Sequence, residues 1–208
     1  MTVIVHHLEN SRSQRILWML EELGLPYEVK RYARDPKTML APPELRRVHP
    51  LGKSPLLEDG GTVVAETGAI VEYLVEKAGG RLGPPPQRDA VLRYRFFLHY
   101  AEGSVMPPLL LKLVLGRVPI FGKAAQKRIQ PMIDVHLDYL ERELAGRDWF
   151  VGEDLTAADI MLSFPLEAAR SRAGLDASRP QLTAWLGRIH ARPAYARALE
   201  RGGPYAYA

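Results

Sequence analysis

Residues 2–32 read TVIVHHLENSRSQRILWMLEELGLPYEVKRY. The stretch 2–6 alternates like a strand, and 11–23 carries Ile16, Leu17, Leu20 and Leu23 on one face at the period of an amphipathic helix. Gly24 stops that helix, and 27–32 alternates apolar with charged residues as a second strand. Strand, helix and strand joined by short connections imply a βαβ unit whose strands run parallel.

Beyond this unit, 42–47 predicts a short helical piece. The stretches 55–58 and 62–64 predict an antiparallel hairpin around Asp59-Gly60-Gly61. A further amphipathic helix follows over 66–77, with Ile70, Val71, Leu74 and Val75 inward. The order β-α-β-α-β-β-α makes residues 1–80 an α/β domain with a mixed four-stranded sheet. Gly79-Gly80 and Gly83-Pro84-Pro85-Pro86 cannot continue a helix, so 81–86 is read as a stiff linker. No strand pattern appears from Gln87 onward. Helical patterns cover 88–115 (kinked at Pro107-Pro108), 123–144, 156–170 and 180–192, which makes 87–208 an all-α helical bundle.

Composition narrows the chemistry. Of 208 residues, 47% are hydrophobic and 25% charged, enough apolar material for a core and too much for wholesale disorder. There is no cysteine, which excludes disulfides, thiolate metal sites and a redox thiol of the protein's own; thiol chemistry here needs a borrowed thiol. Residues 1–80 carry 10 Lys/Arg against 11 Asp/Glu, and the rest of the chain 18 against 13. These cations are scattered at helical spacing without an aromatic-rich or helix-turn-helix signature, so they read as a solvated surface rather than a nucleic-acid site. The start lacks a basic segment followed by a long apolar one, and the apolar run 109–115 is broken by Lys112, far short of the roughly 20 residues that span a bilayer. The expectation is a cytoplasmic protein with no metal and no nucleic-acid or membrane partner.

Three segments carry candidate chemistry. Asn10-Ser11-Arg12-Ser13 lies where the first strand gives way to the first helix; free N–H groups and the helix dipole there favour an anion such as a thiolate, while Asn or Ser at that place is equally an ordinary N-cap. Lys53-Ser54-Pro55 opens the third strand. A cis bond would turn the Ser54 backbone out to pair with an extended peptide; a trans proline at a strand start is the alternative. Glu66-Thr67 begins a helix, as caps or as receivers of the ammonium and carboxylate of an amino acid. In the second half, Thr156 and Asp159 have capping-box spacing, with Leu155 and Ile160 as the hydrophobic staple.

Together these segments, in the runs SRSQRILWMLEELGLPYEVK, PPELRRVHPLGKSPLLEDGG and AETGAIVEYL with GEDLTAADI downstream, resemble the cytosolic glutathione S-transferases. The likeness covers almost all of residues 1–80 and is greatest to the bacterial and fungal subgroup of yeast glutathione transferase one. The resemblance implies a thioredoxin-like first domain, glutathione as cosubstrate, and a homodimer that detoxifies a small hydrophobic electrophile held by the second domain. It assigns Ser11 to the glutathione sulfur, with Ser13 or His7 as substitutes and Arg12 adding positive potential. It assigns Ser54, beside Pro55, to the cysteinyl backbone, Glu66 and Thr67 to the γ-glutamyl end, and Lys53 to the glycine carboxylate. No tyrosine stands near the end of the first strand, unlike the tyrosine-type classes. Met106, Leu109, Leu110 and Leu113 are either acceptor-pocket lining or core. A peroxidase, isomerase or dehalogenase on this scaffold, or a non-catalytic relative, are the competing functions.

Overall fold

A computed structural model describes residues 2–207. Four strands, β1 (Val3–Leu8), β2 (Tyr27–Tyr32), β3 (Leu56–Asp59) and β4 (Thr62–Ala65), form one sheet in the order β2-β1-β3-β4. β1 runs parallel to β2, from Val3 opposite Tyr27 to Leu8 opposite Tyr32, and antiparallel to β3, which pairs with β4 as a hairpin. The helices of this part are α1 (Ser13–Leu23), the four-residue α2 (Leu45–Val48) and α3 (Thr67–Lys77). The predicted β-α-β-α-β-β-α order is what forms.

The remaining helices are α4 (Arg88–Tyr100), α5 (Met106–Leu115), α6 (Gly122–Glu143), α7 (Ala157–Arg172), α8 (Pro180–His190) and α9 (Pro193–Gly202). The kink expected at Pro107-Pro108 lies one turn earlier, as a π-helical stretch over Ala101–Val105. The two prolines lack the N–H groups that would bond four residues back, and their rings crowd those carbonyls, so the preceding turn widens. By contacts the chain forms two compact units. The first runs to Gly83 and takes back His190–Ala206; the second comprises Pro84–Ile189 with Tyr207. The division read from the linear sequence, with all of 87–208 in one helical domain, therefore differs at the C-terminal helix.

That helix, α9, explains the burial of α1. The sequence pattern gives α1 a single inward face, yet Ser13, Gln14, Arg15, Trp18 and Met19 are buried as well. The sheet covers one side, and α9 packs on another, with Trp18 edge-on to Tyr195. Gly202 makes this approach feasible: a Cβ there would lie 2.5 Å from Gln14 Oε1. The last turn of α1 carries Glu21 and Glu22, the wrong sign for a helix C-terminus, but Arg197 of α9 and its N-cap residue Arg192 pair with them at 2.7 and 2.5 Å.

In the second unit, α7 is buried from Ala157 to Ala169. Its start shows the expected capping box. Asp159 accepts from the Thr156 N–H (3.0 Å), the Thr156 hydroxyl (2.8 Å) and the Phe150 N–H (2.9 Å). Complete burial pushes its carboxyl up to about 6 despite these donors. Met106 and Leu109 are core, whereas Leu110 is exposed.

Candidate functional site

The carboxyl end of β1 feeds directly into α1, and the site is assembled around that junction. Ser13 is the first residue of α1 and Arg12, half-buried, is its N-cap. No acidic side chain lies in the first turn, so the positive end of the helix is not neutralised by its own sequence. Ser11 Oγ accepts the Ser13 N–H at 3.2 Å, taking up one of the donors that a helix N-terminus leaves without a partner. Ser11 thus serves the start of the helix as a cap.

The two serines differ in what they have left to offer. Ser13 is fully buried, and its Oγ lies 2.9 Å from His7 Nδ1, 2.8 Å from Ser11 Oγ and 3.2 Å from both the N–H and the carbonyl of Leu8. It is saturated. Ser11 retains 6% exposure, and among the described residues its hydroxyl has only the two contacts to Ser13. Of the pair, Ser11 has hydrogen-bonding capacity to spare for a ligand.

His7 orders the protons behind them. Its imidazole is buried, with Nδ1 2.9 Å from Ser13 Oγ. Burial, reinforced by the charge of Arg31, pushes the imidazole down to about 4, so it stays neutral near pH 7. A Ser13 hydroxyl that donates to His7 Nδ1 is free to receive the Ser11 proton. Turning that proton outward costs Ser11 one neutral hydrogen bond and strands no buried group.

Ser54 joins the same network. The Ser54-Pro55 bond is cis. Its hydroxyl donates to the His6 carbonyl at 2.9 Å and accepts the Leu8 N–H at 3.3 Å, the N–H that Ser13 Oγ also faces. Since Leu56 pairs with both His6 and Ala65, Lys53, Ser54 and Pro55 lie at the same end of the sheet as Glu66 and Thr67. The register brings these residues together, while Ser11 bonds Ser13, and Ser13 and Ser54 share the Leu8 N–H. Lys53 and Glu66 are exposed; Pro55 and Thr67 are buried. Glu66 has φ 71°, a left-handed conformation that a non-glycine residue holds at a cost of order 1–3 kcal/mol and that clusters at ligand sites.

Several positioning residues escaped the sequence reading. Arg34 donates to Glu9 Oε1 through its backbone, and its guanidinium reaches the Glu9, Asn10 and Met39 carbonyls, clamping the loop before Ser11. Asn10, at φ 48°, accepts the Ala206 N–H at 2.7 Å. The parallel register that sets Leu8 opposite Tyr32 was the available signal for Arg34, two residues further on; nothing local points to Gly202 or Ala206. A 520 Å³ cavity over the β2–α2 loop, lined among others by Arg34, Asp35, Thr38 and Arg46, includes none of the predicted site residues.

Comparison with known proteins places this architecture. The family model for the glutathione S-transferase N-terminal domain matches residues 11–77, and that for the C-terminal domain 105–193. The chain belongs to the glutathione S-transferase family. Glutathione S-transferase 3 of Schizosaccharomyces pombe is 36% identical over 96% of this chain and 87% of its own. Glutathione S-transferase 1 of Saccharomyces cerevisiae is 34% identical over 95% and 94%. A glutathione S-transferase crystal structure from Actinobacillus pleuropneumoniae superposes with TM-score 0.88 at 35% identity, covering 99% of this chain and 95% of that one. The N-terminal family match begins at Ser11 and takes in Ser54-Pro55 and Glu66-Thr67. His7, which faces Ser13, falls outside both matched ranges of this transferase.

Proposed function

We propose that this chain is a serine-type glutathione transferase that binds glutathione across the carboxyl end of β1 and activates its thiol through Ser11. The observation that carries this reading is the state of Ser11: a hydroxyl with capacity to spare, at an unneutralised helix N-terminus, held by a saturated Ser13. Glutathione lies extended beside Ser54-Pro55. Its γ-glutamyl end is met by Glu66 and Thr67, its glycine carboxylate by Lys53, and Arg12 adds positive potential near the sulfur.

The thiol proton leaves to water, and the thiolate accepts the Ser11 hydroxyl proton, which turns from Ser13 toward sulfur. A hydrogen bond to an anion is about twice as strong as the neutral one given up. Lowering a thiol pKa from about 8.5 by two units requires only about 2.7 kcal/mol, which one charge-assisted hydrogen bond and the end of α1 can supply. The thiolate then forms a carbon–sulfur bond with a hydrophobic electrophile and displaces its leaving group. Membership of the transferase family supports a cytoplasmic homodimer.

Calorimetric titration with glutathione, with light scattering on the same sample, tests this. The reading expects saturable binding of about one glutathione per subunit of a dimer; no binding up to about ten millimolar would overturn it.

A further inference from the structure

The connection between α5 and α6 forms an exposed tip of the helical unit. Between residues 103 and 133 the chain carries five cations, Lys112, Arg117, Lys123, Lys127 and Arg128, and no carboxylate. At its apex the Phe121 N–H bonds back to the Pro119 carbonyl at 2.7 Å, closing a γ-turn in which Ile120 has φ 66°. A β-branched residue is a clear outlier in that region. The turn leaves Ile120 91% and Phe121 74% exposed, with Val114 and Val118 about half exposed.

Beside the apex is a cavity of 200 Å³ lined by Lys112, Leu113, Gly116, Arg117, Gln126 and Arg172. Three cations converge on it with no carboxylate in the lining. Arg172 Nε is buried without a hydrogen-bond partner among the described residues, although its NH1 reaches the Tyr207 hydroxyl. Lys112 is held by Gln130, whose amide donates to Asp134, and Asp134 is itself paired with Arg179. The carboxylate closest in this network is therefore already neutralised.

We propose that this tip docks on an anionic lipid surface, with Ile120 and Phe121 entering the headgroup layer, the five cations facing lipid phosphates, and the Arg172 cavity receiving one of them. The charge selects an anionic partner, and the apolar apex selects among anionic partners. An acidic polypeptide or a nucleic acid gives two protruding hydrophobic side chains nothing to enter, whereas a charged bilayer offers both phosphate and acyl boundary. Among the described residues no helix is long and apolar enough to cross a membrane. The contact is peripheral, and it revises the expectation of no membrane partner without requiring a span.

Co-sedimentation of the full chain with vesicles tests the proposal. Binding is expected to vesicles of phosphatidylcholine containing a third phosphatidylglycerol, to weaken with added salt, and to be at least about tenfold weaker with pure phosphatidylcholine. The pair Ile120→Ser with Phe121→Ser, and separately Lys123→Glu with Lys127→Glu, should each reduce binding at least about tenfold while circular dichroism is unchanged. In a Phe121→Trp variant, tryptophan emission should shift to the blue only with the anionic vesicles. No binding to anionic vesicles, or undiminished binding by the Ile120/Phe121 variant, would overturn the proposal. So would an emission shift caused by self-association without lipid, or salt-sensitive capture by polyglutamate that survives loss of the apolar apex.

Discussion

Replacing Ser11 by alanine separates the chemistry of the site from its architecture. The side chain removed accepts the Ser13 N–H and touches Ser13 Oγ, while Ser13 keeps His7 and both Leu8 groups. The structural loss is that of one helix-cap contact, about 1 kcal/mol, which a folded chain of this size tolerates. The catalytic loss is a hydrogen bond to a developing anion, about 1.5–3 kcal/mol. That converts to about 10- to 150-fold in kcat/KM for a model aryl halide, with the bound thiol pKa rising by about one to two units. Steady-state conjugation kinetics, with circular dichroism and a melting curve on the same preparation, measure both parts. Ser13→Ala gives the contrast, because it strands buried partners and so destabilises more than it slows a folded molecule. An unchanged rate in Ser11→Ala, or a dead Ser13→Ala of normal stability, would refute the assignment.

Glu66→Gly should relieve the left-handed strain, raising stability by about 1 kcal/mol, yet weaken glutathione binding by about tenfold in calorimetry; stability and affinity moving together would contradict the γ-glutamyl role. Asp159→Ala leaves the Phe150 and Thr156 N–H groups without their acceptor and should cost about 3 kcal/mol, or a Tm lowered by about 6–12 °C, with activity per folded molecule retained. His7 is held at about 4 when folded, against 6.5 ordinarily, so its contribution is complete above pH 6.5 and is lost as pH falls toward 4. Denaturant unfolding at pH 5 and pH 7.5 should show an acid loss of about 2 kcal/mol in the parent that is absent in His7→Asn. Gly202→Ala would press its Cβ toward Gln14 Oε1 and Leu17 Cδ1, and a loss of about 1–3 kcal/mol is expected on thermal melting.

The sheet, the helices as far as α8 and the α7 capping box were legible because each rests on local signals: alternation, helical period and cap residues within a few positions of one another. The candidate serines were legible for the same reason, since Ser11 and Ser13 lie at a strand–helix junction. What was not legible is what α9 does. The helical patterns read from the sequence end at Arg192, so α9 was not expected, nor that it packs on α1 from about 170 residues away. Hence the burial of Gln14 beside Gly202 and the Asn10–Ala206 contact were invisible locally. The misplaced kink has a different cause. Proline acts on the carbonyls of the preceding turn, so the distortion appears N-terminal to the residue that produces it.

The most direct test of the central claim is ultraviolet titration of the thiolate of glutathione bound to the parent protein, followed across pH. The account predicts an inflection about two units below the free thiol value of about 8.5, shifted back toward it in Ser11→Ala. An inflection unchanged from free glutathione at saturating occupancy would contradict it.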